Sequence, residues 1–220
     1  QGGVASPRGN GSTDITARWK GLTATAVVSV SHHAQPVPLH FTNDLVPIFT
    51  RKGCNAGGCH GKASGQNGFK LSLLGFEPLF DYDAIVKQLR GRRVFPADPD
   101  RSLILQKASG QLPHGGGKRL NPESQEYQLI RDWIAEGMPY GSPNDAQVSS
   151  ISVWPTHRLL TGKKTQQLAV TAKYSDGTHR DVTRLTEFYS NNPEAANVSE
   201  YGVVTTLNVP GETAIIARYQ

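Results

Sequence analysis

What the 220-residue sequence lacks narrows it first. Sulfur is scarce: there are two cysteines, Cys54 and Cys59, and one methionine, Met138. With no second cysteine pair, a zinc site would lack part of its ordinary four-ligand set. Long apolar runs are absent too, and nothing approaches the roughly 20 apolar residues of a membrane-spanning helix. The opening QGGVASPRGNGSTD has no apolar centre of the kind a secretory leader carries. The chain therefore reads as a mature fragment, and export has to be argued from other features. Nor is there a strong charge of one sign. The net charge of +5 is scattered among carboxylates, which suits weak docking to an acidic protein and lacks the dense basic stripe of a nucleic-acid binder. No Ser/His/Asp arrangement or paired carboxylate motif is visible, so no enzyme activity is expected.

Residues 1–30 read as strands. TDITARW (13–19) and LTATAVVSV (22–30) alternate in polarity around Lys20-Gly21. Residues 31–40, SHHAQPVPLH, read as a linker. From 41 the pattern turns helical. TNDLVPIFTRKG offers Thr42 or Asn43 as N-cap, Pro47 for the first turn, and Leu45, Ile48 and Phe49 on one face. Further helices are expected over DYDAIVKQLRGR (81–92) and RSLILQKAS (101–109). The strongest helical signal is PESQEYQLIRDWIAEG. Asn121 stands as its cap, Pro122 at its first position, and Gly137 at its end, with an apolar stripe of Tyr127, Ile130, Trp133 and Ile134. After Gly141, the short segments ISVWP, QQLAVTAKYSDG, DVTRLTEFYS, GVVTTL and ETAIIARY predict an antiparallel sandwich.

One internal repeat bears on the architecture. GSTDITARW (11–19) aligns with GETAIIARY (211–219), matching Gly, Thr, Ile, Ala-Arg and a closing aromatic; Gly3-Val4 matches Gly202-Val203 after a one-residue gap. The N-terminal strands therefore look like the end of a domain of the same type as the C-terminal one.

CNAGGCH (54–60) gathers both cysteines and a histidine. Free thiols, a disulfide closing a tiny loop, a metal knuckle and covalently attached haem all stay open. Haem accounts for the three residues together: two thiols add to two vinyl groups, and the histidine after the second cysteine ligates iron. The ordinary attachment sequence is C-x-x-C-H, so two extra residues must bulge outward. Ala56-Gly57-Gly58 suits a bulge because glycine accepts positive φ, and Gly53 and Gly61 loosen both flanks.

Two resemblances follow. L-x-V-T-A-K-Y-S-D-G-T-x-R-D-V-T (168–183), S-N-N-P-E-A-A-N-V (190–198) and the closing G-V-V-T…G-E-T-A-I-I-A resemble bacterial Ig-like domains of group 2, which occur in exported surface proteins as spacers or adhesion modules. N-D-L-V-P-I-F-T-R-K-G-C, C-H-G-K and the late helix followed by G-M-P-Y-G resemble the class I cytochrome c domain. More narrowly, they resemble exported planctomycete modules with a C-x-x-x-x-C-H attachment. That resemblance implies haem c held by Cys54 and Cys59, with His60 as proximal iron ligand. Members of the family take a distal ligand from the loop before the last helix, where this chain has His114 in GQLPHGGGKRL. Met138 lies after that helix and is the lesser candidate; a five-coordinate iron, or His32, His33 or His40 reaching over, are the others. Phe69, Leu71 and Phe76 are expected to line the pocket, with Trp133 packed against the first helix and the haem edge. Arg51, Lys52, Lys62, Arg90, Arg92 and Arg93 are basic candidates for haem propionates or an acidic redox partner. His157 and His179 are given no role.

The expected fold is multidomain α + β, an all-α class I cytochrome c domain plus an antiparallel Ig-like β-sandwich. Residues 1–30 would be closing strands of an Ig-like domain, completing the 148–220 sheet or exchanging between two chains as a dimer. Residues 31–40 link them to a cytochrome c domain at 41–147, and 148–220 form an Ig-like domain lacking its last strand. The expected function is one-electron transfer in an exported, periplasmic or cell-surface, multidomain protein with an unidentified redox partner. The alternatives are a haem sensor or peroxidase-like domain with open iron, and a non-redox adhesion or spacer protein with a Cys54–Cys59 disulfide.

Overall fold

Alternating polarity shapes the first of two units, Gln1–Pro38 and Leu39–Gln220. In the computed structural model, which describes residues 5–34 and 38–220, Gly11–Trp19 (β1) and Leu22–Val30 (β2) form an antiparallel hairpin. It turns at Lys20 and Gly21, both with positive φ, as a two-residue hairpin turn requires. Register places Ile15, Ala17 and Trp19 opposite Ala26, Ala24 and Leu22, so one face is apolar. The other carries Ser12, Asp14, Thr16 and Arg18. This sheet has two strands. Gly3-Val4 and part of the linker (35–37) lie outside the described residues.

The second unit opens with a wide π turn over Phe41–Leu45 that runs into helix α1, Val46–Arg51. Its cap is neither Thr42 nor Asn43: His40 Nδ1 accepts the Asn43 N–H at 3.2 Å. Pro47 sits in the first turn of α1, where no N–H is needed. Helix α2, Pro78–Val86, is shorter than the 81–92 expectation because Leu89 and Arg90 adopt positive φ and break it. Helix α3 spans Leu103–Ala108. Helix α4 spans Gln125–Ala135 and starts later than the Asn121-Pro122 signal. Ser124 caps it, its hydroxyl accepting the Tyr127 N–H, while Asn121 accepts the Ser124 N–H to form the turn before. Gly137, at positive φ, follows its end.

The expected stripe is the core. Tyr127, Ile130, Trp133 and Ile134 are all buried, and Phe41 packs on Trp133 at 5.5 Å and edge-on against Tyr82 at 5.3 Å. Beyond residue 147 the chain is antiparallel throughout: Val148–Trp154 (β3), Ala169–Tyr174 (β5) and His179–Asp181 (β6) form one sheet. Thr165–Gln167 (β4), Val203–Thr206 (β9) and Ala196–Val198 (β8) form a second, and Glu187–Ser190 (β7) pairs with Ile215–Arg218 (β10). Val170, Ala172, Tyr174, Val182 and Tyr219 join the same hydrophobic cluster as Phe41, Leu45 and Trp133. Helices and strands of this unit thus share one core.

Candidate functional site

Helix α1 delivers the first cysteine. Its last carbonyls, from Ile48, Phe49 and Thr50, accept the N–H groups of Lys52, Cys54 and Gly53 at 2.8–2.9 Å. Gly53, at φ +71, supplies the left-handed residue that such a helix end requires. The following loop folds on itself: His60 N–H donates to the Cys54 carbonyl at 3.0 Å, and Cys59 N–H to that of Ala56 at 2.9 Å. The close approach falls at Gly61, where a Cβ would drive into the Asn55 carbonyl. Gly57 and Gly58 do not adopt positive φ, so that expected use is corrected, and a Cβ would find open space at Gly58 and only an ordinary contact with Leu73 at Gly57. Cys54 and Cys59 are both free thiols.

Both cysteines and His60 open onto a cavity of about 660 Å³, within the usual size of a cofactor site, about 300–1,000 Å³. Ile48, Phe49, Leu71, Ile104 and Ile130 contribute apolar wall. Across from His60 stands His114, with ring centroids 6.2 Å apart and planes within 10° of parallel. Each imidazole has its Nδ1 on a backbone carbonyl: His60 on Phe69 at 3.0 Å, His114 on Gly117 at 2.8 Å. A carbonyl only accepts, so each Nδ1 carries the proton and each Nε2 keeps its lone pair, the tautomer of a metal-ligating histidine. Burial pushes the His60 imidazole below its ordinary pKa, and the nearby His114 and Arg93 act in the same direction.

Phe69 does more than line the wall. Its carbonyl holds His60, its ring packs on the His60 imidazole at 4.5 Å, and the Arg93 guanidinium lies 4.4 Å from the ring centroid. Arg93 is itself anchored by the carbonyls of Ala84 and Gly68. The loop carrying His114 is tied down by Lys107 Nζ on the Pro113 carbonyl and Arg119 Nε on that of Gly116. Gly116 lies so close that a Cβ there would meet His114 Cε1 at 3.0 Å.

Several expected positions fall elsewhere. Trp133 does not line the cavity; wholly buried, it gives its indole N–H to the Pro139 carbonyl and serves the core, while Ile130 is the α4 residue that reaches the site. Met138 also lies away from the cavity, packed against the core, because the turn after α4 directs it there. Phe76 is 87% exposed, on a loop beyond the wall. His40 is engaged by Asn43 and stands 3.6 Å from Asp145, and His33 contacts the Pro7 carbonyl within its own unit. Of the basic candidates, Lys52, Arg92 and Arg93 line the cavity, and so do Lys107 and Arg119, which the sequence reading missed. Their one sequence signal is proximity to His114. Arg51 turns to Glu126 instead. Among the described residues, no group of three or more His, Cys, Asp or Glu side chains could hold a metal ion. A metal here would need donors beyond the protein's own.

Comparison with known families addresses the strand-rich end. Residues 147–218 match the bacterial Ig-like domain (group 2) family. This segment is similar to a bacterial Ig-like domain. Its limits agree with the start of β3 and the end of β10. No curated protein matches the chain. The Ig-like domain contributes no residue to the cavity wall, yet it touches the helix that leads into it: Arg180 meets Asp44, and Glu200 meets Lys52.

Proposed function

We propose that residues 41–147 form a c-type cytochrome domain that passes single electrons in an exported protein, with the Ig-like domain built onto it. The observation that carries this reading is the opposed pair His60 and His114, parallel, 6.2 Å apart and both held with Nε2 free. His60 and His114 would hold the iron through their Nε2 atoms, which the hydrogen bonds at Nδ1 leave open. The donor set fits haem better than a bare ion because two imidazoles alone leave a metal under-coordinated, and a porphyrin supplies the remaining nitrogens.

Haem bound here would supply the one-electron couple of its iron. The residues do the rest. Cys54 and Cys59 are placed to form thioethers with its two vinyl groups. Through their carbonyls Phe69 and Gly117 would orient the two imidazoles at Nδ1, and Ile48, Phe49, Leu71 and Ile130 would limit water at the site. Lys52, Arg92 and Arg119 offer cations to its carboxylates. His114 standing opposite His60 favours electron transfer over a sensor or peroxidase-like site with open iron, and free thiols favour haem over a disulfide-stapled spacer. Bacterial Ig-like domains are typical of surface proteins, which supports an exterior location. Among the described residues, no helix is long and apolar enough to cross a membrane.

The test is a visible spectrum and an intact mass of the chain made in cells that attach haem c. A Soret band and the mass of one haem are expected; colourless protein of unmodified mass overturns the reading.

A second reading concerns the hairpin. By the internal repeat, Ile15, Ala17 and Trp19 correspond to Ile215, Ala217 and Tyr219, which pack into the core of the Ig-like domain. Among the described residues, β10 pairs only with β7 and β2 only with β1. We propose that the hairpin pairs with a second copy of the chain, β2 against β10, its apolar face continuing the inner face of the partner's Ig-like sheet.

A further inference from the structure

The Ig-like domain grips helix α1 at both ends. At the start, Arg180 Nη1 lies 2.5 Å from Asp44 Oδ1, the Tyr219 hydroxyl donates to the Asn43 carbonyl at 2.8 Å, and Gln220 Nε2 donates to the Thr42 carbonyl at 3.0 Å. Asp44 is buried, and its second oxygen accepts the His40 N–H. At the far end, the Arg51 side chain is 2% exposed and donates to Glu126 of α4 and to the Arg184 carbonyl, both at 2.5 Å. Its guanidinium lies 5.0 Å over the Tyr201 ring. Lys52 Nζ meets Glu200 Oε2 at 2.9 Å.

Charges at this second grip come from both sides of the domain boundary. Arg51 and Lys52 face Glu126 and, from the Ig-like domain, Glu200, while the Arg184 guanidinium lies 5.8 Å over the same Tyr201 ring. The Arg51–Glu126 pair is buried, at 2% and 8% side-chain exposure, while Glu200, 51% exposed, closes the contact across the boundary as a partly screened pair. Burial opposes ionisation of Glu200, yet Lys52 and Arg51 hold its carboxyl below the ordinary value, so it stays charged at neutral pH. Lys52 is also a wall of the cavity, and two residues later the chain reaches Cys54. Whatever holds α1 therefore holds the first cysteine, and whatever neutralises Lys52 sets the charge felt inside the cavity.

We infer that the Ig-like domain is a positioning element of the site: Arg180 and Glu200 fix α1 at its two ends, and Glu200 offsets the Lys52 charge on the cavity wall. A spacer domain would meet its neighbour through a small, polar, replaceable contact. Here the domains share a hydrophobic cluster, and the grips fall on the one helix that leads to the cysteines. The electrical half of this inference rests on the haem reading; the mechanical half does not.

Two measurements on the full chain test it. In haem-loaded protein, Glu200→Gln removes one negative charge near the cavity and should raise the midpoint potential while the Soret band and haem mass stay unchanged. The double variant Lys52→Gln/Glu200→Gln, which restores the charge sum, should return the potential toward the parent value. A merely structural contact would move neither. In the chain with or without haem, Arg180→Gln and Glu200→Gln should each speed amide hydrogen exchange at Cys54 and His60 several-fold, as the grip on α1 loosens. Coloured Glu200→Gln protein with an unmoved potential overturns the electrical half, and unchanged exchange in both variants overturns the mechanical half. If the protein is colourless, the haem reading fails, and the exchange experiment still decides whether the Ig-like domain positions the loop.

Discussion

His60 and His114 face each other with planes 10° apart, and neither ring is free to turn because each Nδ1 is bonded to a backbone carbonyl, of Phe69 and of Gly117. The pair is built from opposite sides of the cavity. His60 rides on the loop that follows α1, and His114 on the loop after α3. Orientation fixed before any ligand arrives is what a site needs if it is to exchange electrons with little rearrangement.

In the haem-loaded protein this pair should give a low-spin ferric spectrum without the weak red-edge band of sulfur ligation. Replacing His114 with Ala should convert it to high spin. Met138→Leu should leave it unaltered, since Met138 does not reach the cavity. A His114→Ala spectrum like the parent's would remove His114 from the site.

Gly116 should be sensitive for the same reason. A side chain there would press on His114 at Cε1. Gly116→Val is expected to raise the high-spin fraction while leaving the thioether linkages, and so the covalent mass, intact. Magnetic circular dichroism would read the spin change.

Gly61→Ala should be worse, because the added carbon meets a backbone carbonyl that cannot move without opening the cysteine loop. A loss of roughly 2–4 kcal/mol is expected, with a lower yield of haem attachment. Urea unfolding of the haem-free chain measures the first, and absorbance per protein the second.

Without haem, burial pushes the Cys54 thiol up to about 11 from 9.0, with Arg119 and Lys52 opposing and Cys59 assisting. A thiol raised in the folded state favours folding fully below pH 9.0 and loses that contribution as pH climbs toward about 11. The urea midpoint of the haem-free chain should therefore fall across that interval, and Cys54→Ala should flatten the fall. Iodoacetamide should label Cys54 more slowly at pH 8 than it labels the unfolded chain.

The hairpin offers a different measurement. Trp19 is 67% and Leu22 70% exposed on its apolar face. Pairing of β2 with β10 of a second copy predicts a dimer by light scattering, and Trp19→Ser with Leu22→Ser should yield monomer. A monomeric parent chain would dismiss the pairing.

Much of this was legible along the chain. The α4 stripe is buried as its periodicity demanded, and the alternating segments after residue 147 are strands. CNAGGCH does bring two thiols and an imidazole to one cavity wall. The errors share a cause. Trp133 was assigned to the cofactor and went to the core because one helical stripe wide enough for four residues has two flanks, and only Ile130 lies on the flank toward the cavity. Met138, the lesser distal candidate, lies away from the cavity, since a turn of positive φ after α4 redirects the chain. Lys107 and Arg119 were overlooked because nothing in their neighbours distinguishes a cation facing a cavity from one facing water.

The sequence by itself determined the local elements and the cysteine-histidine cluster, because periodicity, glycine placement and short spacing act over a few residues. Only the tertiary structure decided which histidine stands opposite His60, which stripe residue reaches the cavity, and that Arg180 and Glu200 hold the helix ahead of Cys54. Those are contacts between residues far apart in the chain, and they depend on how helices and strands bury a common core.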